Sequence, residues 1–208
     1  TGFVAIVGRP NVGKSTLVNA LVGRKISIVT PRPQTTRHAI VGVLTRPNSQ
    51  VLFVDTPGLH TRQRNLLNRA MNRAVEGALV GAEVALFVVE AGVWKAADTF
   101  VLEHVLAAGI PVILAVNKVD LVRPKSALLP YLLACEKRAG FHAIVPISAA
   151  GADNLDRLLE QLTDLLPVGP PLYPLDAATN RGMAFRVAEI IREKLLIALR
   201  QEVPYGLA

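Results

Sequence analysis

The chain has 208 residues, 51% of them hydrophobic and 19% charged, enough for one substantial core plus a smaller unit. No apolar run approaches the roughly 18 residues a membrane span needs, the opening residues lack a signal-peptide pattern, and a single cysteine, Cys135, excludes an internal disulfide and fits a reducing compartment. The net charge of +7, from 23 Lys and Arg against 16 Asp and Glu, is compatible with an RNA partner but does not establish one.

The first predicted strand, 4–7, runs into Gly8-Arg9-Pro10-Asn11-Val12-Gly13-Lys14-Ser15, a complete phosphate-binding loop, and a helix over 14–21 follows. The two glycines let the backbone bend so that successive amides, through Thr16, point at a phosphate chain. Lys14 can reach the β- and γ-phosphates, and the Ser15 hydroxyl can ligate Mg²⁺. A strand at 39–44 and another at 51–54 are joined by the turn 47–50 as a hairpin. The second of these ends in Asp55-Thr56-Pro57-Gly58, where a carboxylate can hold a Mg²⁺-bound water and a glycine amide can bond the γ-phosphate.

A helix is expected over 64–78. Arg62, Arg64, Arg69 and Arg73 fall in or beside it with no acid before Glu76; they read as a solvated helix face, with a nucleic-acid contact as the alternative. Strand 84–89, helix 98–108 and strand 112–116 lead to Asn117-Lys118-Val119-Asp120. One carboxylate at Asp120 can accept both the N1–H and the 2-amino group of guanine, a pair adenine lacks. Helix 126–139 and strand 144–147 bring in Ser148, Ala149 and Ala150 as the last base-side loop, and helix 154–166 closes the unit. These elements predict an α/β P-loop NTPase fold in three layers, with a mixed six-stranded sheet, one antiparallel pair and helices on both faces.

Four prolines between 167 and 174 mark a semi-rigid linker over 167–178. Beyond it, Ala184, Val187, Ala188, Ile191, Leu195, Ala198 and Leu199 recur with helical period over 183–200, before Pro204 and Gly206. One helix cannot bury its own apolar face. It is therefore either docked on the nucleotide domain or the edge of a second domain.

The phosphate loop, Gln34-Thr35-Thr36-Arg37-His38, Asp55-Thr-Pro-Gly58-Leu-His60, Asn117-Lys-Val-Asp120, Ile147-Ser-Ala149 and Glu189-Ile-Ile-Arg-Glu-Lys-Leu195 together resemble the bacterial Era GTPases. The resemblance implies a Ras-like GTPase domain over 1–166 and a KH domain that binds the 3′ end of small-subunit (16S) rRNA during ribosome maturation. It implies GTP and GDP as ligands with Mg²⁺, and a cytoplasmic protein that associates with the ribosomal subunit and could touch the inner membrane peripherally. A KH domain needs a Gly-x-x-Gly loop, which 179–208 lacks. This segment is read as the first KH helix only, with weak, non-specific RNA binding.

The family pattern makes Thr36 the second metal ligand, with Thr35 nearby, and makes Lys14 and Thr36 catalytic. Loop 28–36 and the segment after Gly58 are the expected switches. In Ras-type enzymes a Gln after the Asp-x-x-Gly orients the attacking water. Leu59 stands there instead, so slow intrinsic turnover is expected, with His60 the nearest polar candidate. Asn11 is a candidate K⁺ ligand beside the phosphates, or merely a turn residue. The alternative readings are a guanine-nucleotide sensor with incidental hydrolysis and an RNA-binding regulator.

Overall fold

The computed structural model of the chain describes residues 1–30, 35–59 and 66–198; Gln34, His60, Arg62, Arg64, Leu199 and the residues beyond it lie outside that description. Six strands form one sheet: β1 (Gly2–Val7), β2 (Ile40–Arg46), β3 (Ser49–Asp55), β4 (Val84–Glu90), β5 (Val112–Asn117) and β6 (Ala143–Pro146). They lie in the order β2-β3-β1-β4-β5-β6, and every neighbouring pair is parallel except the β2–β3 hairpin. The helices are α1 (Lys14–Val22), α2 (Leu66–Val80), α3 (Ala96–Ala107), α4 (Leu128–Glu136), α5 (Leu155–Leu165) and α6 (Met183–Ala198).

Parallel strands covered on both faces need apolar side chains at every position. In β1, Val4 and Ile6 join Leu17 and Val18 of α1 and Leu158 and Leu162 of α5 on one face. Ala5 and Val7 join Val75 of α2 and Val101 of α3 on the other. Strand β4 divides in the same way, Leu86 to the first face and Phe87 to the second. Full burial of a side chain such as Phe87 contributes roughly 1.5–3 kcal/mol. Cys135 is wholly buried in the second layer, and burial pushes its thiol above the ordinary range, as an inert packing residue requires.

Several boundaries shift from the sequence reading. The hairpin turn is only Pro47-Asn48, so Ser49 and Gln50 belong to β3. Strand β6 ends at Pro146, one residue before the predicted end. Helix α4 is shorter than 126–139: a 3-10 turn at Lys125–Ala127 precedes it, and Pro130 is tolerated because first-turn amides have no helical acceptor.

The proline-rich segment is strapped to the sheet. Gln50, 1% exposed, accepts the Leu172 and Tyr173 amides at 2.8 and 2.9 Å and donates to the Tyr173 carbonyl at 2.9 Å. Beyond it the Val43 amide donates to the Ala178 carbonyl, and Gly42 forms an antiparallel bridge with Thr179, which lengthens the sheet past β2.

Helix α6 docks by the face opposite to its apolar stripe. Arg192, Glu193 and Leu196 are buried, whereas Val187, Ile190, Ile191 and Leu195 are 38 to 55% exposed. The apolar repeat reads correctly as a helix, but beside Leu196 the docked face meets the Val29 amide and the Thr35 carbonyl, which charged side chains can satisfy and Ile or Leu cannot.

Candidate nucleotide site

The site lies at the carboxyl ends of β1, β3 and β5, where an open α/β sheet gathers its ligand loops. Gly13 takes φ 100°, and a Cβ there would fall 2.4 Å from the Asn117 side-chain nitrogen. A Cβ on Gly58 would fall 2.7 Å from Pro10. Glycine at both positions is what lets the three loops touch.

Asn117 is 2% exposed and its amide group bonds only to protein. It donates to the Val12 carbonyl at 2.8 Å and accepts the Ala149 amide at 2.9 Å, stitching the phosphate loop to the last loop. Ser148, 1% exposed, accepts the Gly151 amide at 3.1 Å, and Thr56 donates to the Ile6 carbonyl at 2.7 Å. These three motif residues shape the site through the loops they hold.

The loops border a cavity of about 440 Å³ lined by Asn11, Lys14, Ser15, Thr36, Gly58 and Lys118, among others; Pro10 and Thr16 also face it, and Asp120 and Ala150 are exposed residues. Lys14 is 7% exposed, and its ammonium donates to the Gly8 and Arg9 carbonyls at 3.0 and 3.1 Å. Burial lowers its pKa to about 8, with nearby Asp55 pulling it up and Arg9 pushing it further down.

The Ser15 and Thr36 hydroxyls lie 2.9 Å apart, whereas the Thr35 hydroxyl pairs with Thr30 at 2.6 Å. Asp55 is fully buried, and neither carboxylate oxygen has a hydrogen-bond partner. Burial pushes its carboxyl above the usual range, against the pull of the nearby Lys14 ammonium. Two hydroxyls and an unbonded buried carboxylate are hard oxygen donors, the set that fits Mg²⁺. Leu59 is 2% exposed and turned into the core, and His60 lies outside the described residues.

Two acids escaped the sequence reading. The Arg9 side chain donates to Asp98 at 3.2 Å and to Glu90 at 2.6 Å, while Lys118, in a left-handed conformation at φ 65°, pairs with the other Glu90 oxygen at 3.3 Å. Arg9 therefore offers a nucleotide its backbone only, and Glu90 ties the phosphate loop to the base loop. The signal was available: an acid ending an otherwise apolar buried strand has to find a cation.

Residues 3–118 match the family of 50S ribosome-binding GTPases. The GTPase Era of Stenotrophomonas maltophilia (strain K279a) is 48% identical over 205 residues, which span 99% of this chain and 69% of that protein. The chain belongs to the Era GTPase family. It is accordingly a GTP-binding and GTP-hydrolysing protein, which disfavours a purely binding nucleotide sensor. The GTPase Era of Xanthomonas axonopodis pv. citri (strain 306) is 47% identical over 206 residues, again 99% of this chain and 69% of that one. An Era crystallised with MgGDPNP and nucleotides 1506–1542 of 16S ribosomal RNA superposes with a TM-score of 0.94 at 39% identity, over 98% of this chain and 69% of that one. A singly substituted Aquifex aeolicus Era bound to GDP and AlF4⁻ gives 0.93, also at 39% identity and with the same coverage. A bacterial selenocysteine-specific elongation factor, 20% identical with a TM-score of 0.62, shares the fold.

Proposed function

We propose that this Era-family chain is the nucleotide-switch part of a protein that acts on the 3′ end of small-subunit rRNA during ribosome assembly. The observation that supports the switch most directly is the meeting of the Ser15 and Thr36 hydroxyls, at a site where the buried Asp55 carboxylate is left without a hydrogen bond. Ser15 and Thr36 would hold Mg²⁺ directly and Asp55 through a water, and the metal would supply charge neutralisation at the β- and γ-phosphate oxygens. Backbone amides from residue 11 to residue 16 and the Lys14 ammonium orient the same oxygens and balance charge as the leaving phosphate develops. Thr36 would be recruited when the γ-phosphate is present and released when it leaves.

K⁺ is the second ion of this reading. Asn11 takes the left-handed conformation at φ 64° and lines the cavity, which places it where a monovalent cation beside the phosphates would sit. Under saturating Mg²⁺, replacing K⁺ by Na⁺ should slow single-turnover GTP hydrolysis by more than about tenfold, about 1.4 kcal/mol of barrier. Asn11→Ala should abolish the difference between the salts. An unchanged rate in Na⁺ leaves Asn11 as a turn residue.

The domain reading is that 1–166 form the GTPase domain, 167–178 the linker and 179–208 the first helix of a KH domain. The exposed apolar stripe of α6 supports it, because such a face is what the rest of a KH domain would cover. Residues 179–208 contain no Gly-x-x-Gly loop, so this chain should bind RNA only through its positive charge. Titration with the rRNA 3′ end and a scrambled control should give equal affinities that fall steeply with salt. Tight, sequence-dependent binding at physiological salt would place the RNA site in the nucleotide domain. No described helix is long and apolar enough to cross a membrane, and we place the protein in the cytoplasm, with any contact to the inner membrane peripheral.

A further inference from the structure

Helix α6 reaches back to the loop that carries Thr36. Glu193, 4% exposed, accepts the Val29 amide at 3.0 Å through one oxygen and pairs with Lys25 through the other. Burial alone would raise its pKa, but Lys25, the Val29 amide and the charge of Lys194 prevail and hold it below the usual carboxylate range. Arg192, 6% exposed, donates to the Thr35 carbonyl at 2.7 Å while Glu189 grips it from within the helix at 2.7 and 2.8 Å. One rigid helix thus holds the incoming limb of the loop at residue 29 and the outgoing limb at residue 35. The residue after the second contact is Thr36, whose hydroxyl meets Ser15.

We propose that Arg192 and Glu193 are positioning residues for the nucleotide site: by clasping Val29 and Thr35, α6 fixes Thr36 beside Ser15 and sets how well the site tells a triphosphate from a diphosphate. Buried charges are costly without partners, and here the partners include the Val29 amide and the Thr35 carbonyl, the latter next to the residue that meets Ser15. The segment that leads into α6 reinforces the placement, since Arg181 donates to the Ala39 carbonyl at 2.7 Å, three residues beyond Thr36. Whatever α6 adds to triphosphate affinity, triphosphate must return as tighter docking of α6, because coupling between two sites is reciprocal.

The proposal rests on Thr36 acting with bound Mg²⁺ and the γ-phosphate, and the experiment separates the two ideas. Affinities for GDP and for the non-hydrolysable analogue GDPNP are measured with Mg²⁺ in the full chain, its Arg192→Ala, Glu193→Gln and Thr36→Ala variants, and the double variant Arg192→Ala/Thr36→Ala. Arg192→Ala and Glu193→Gln should each weaken GDPNP about tenfold while GDP stays within about twofold. Arg192→Lys should restore part of the loss, and Arg192→Ala should cost nothing further once Thr36 is alanine. An unchanged GDPNP-to-GDP ratio, an equal loss for both nucleotides, or fully additive losses in the double variant would overturn the proposal. If Thr36→Ala itself leaves GDPNP binding unchanged, the assignment of Thr36 fails and takes the positioning role with it.

Discussion

Asp120→Asn should reverse the base preference of the site. The Asp120 side chain is exposed beyond Lys118, and Arg123 donates to its backbone carbonyl at 2.8 Å instead of competing for the carboxylate. Both oxygens are thereby free to accept the N1–H and 2-amino donors of guanine. Asparagine supplies one acceptor and one donor, the set matched by xanthine with its 2-oxo group. GTP affinity should fall by at least about 100-fold and xanthosine triphosphate should become the better ligand, because a site built to bond a polar group rejects the analogue that leaves its groups unpaired. Competition against a fluorescent guanine nucleotide measures both. Equal binding of ATP and GTP by the unaltered chain would refute the base assignment outright.

The second large effect concerns Lys14, and it has opposite signs with and without nucleotide. Lys14→Met keeps the volume and removes the charge, so GTP affinity should fall by about 100-fold or more, the scale expected when one partner of a buried charge pair is lost. The nucleotide-free protein should instead become more stable. Its ammonium has a pKa lowered from 10.5 to about 8 by burial, so the folded state disfavours the charged form. That penalty is fully present below pH 8 and is relieved as pH rises toward 10.5, the unfolded value. It amounts to about 3 kcal/mol at neutral pH. Melting temperature without nucleotide should therefore rise between pH 8 and 10.5 in the unaltered chain relative to Lys14→Met. Nucleotide binding at about pH 9 should take up a proton, visible as a binding enthalpy that varies with the buffer's ionisation enthalpy. Parallel melting profiles and a buffer-independent enthalpy would show that the ammonium is not desolvated as the structure indicates.

The sheet was readable because its parallel strands are unbroken apolar runs, each ending in a polar loop with a recognisable spacing. The hairpin was readable from Pro47-Asn48, although its extent was not, since Gln50 looks like a turn residue until its amide is seen bonding Leu172 and Tyr173. At the site, Gly13, Lys14, Ser15 and Asp55 carry their chemistry in their spacing. The work of Asn117 does not, because its partners Val12 and Ala149 are 105 and 32 residues away. The fate of the Arg9 side chain is illegible for the same reason: nothing near it in sequence announces Glu90 or Asp98. Helix α6 shows the limit most clearly. Periodicity identifies which residues share a face but not which face a neighbour takes, and here the neighbour was a loop backbone that rewards charge.

The strap over β2 bears on a different hazard. A sheet edge is a row of unmet amides and carbonyls on which another chain can lay a strand and start an aggregate. One edge here is β6, only 4 residues long and ended by Pro146. The other would be the 7-residue β2, whose outer row meets Ala178, Thr179 and Asn180 instead. Gln50 thus guards solubility from the adjacent strand: by fixing Leu172 and Tyr173 it delivers the chain to the edge, and a chain that lost this anchor would bare β2, rich in β-branched residues, to its own copies.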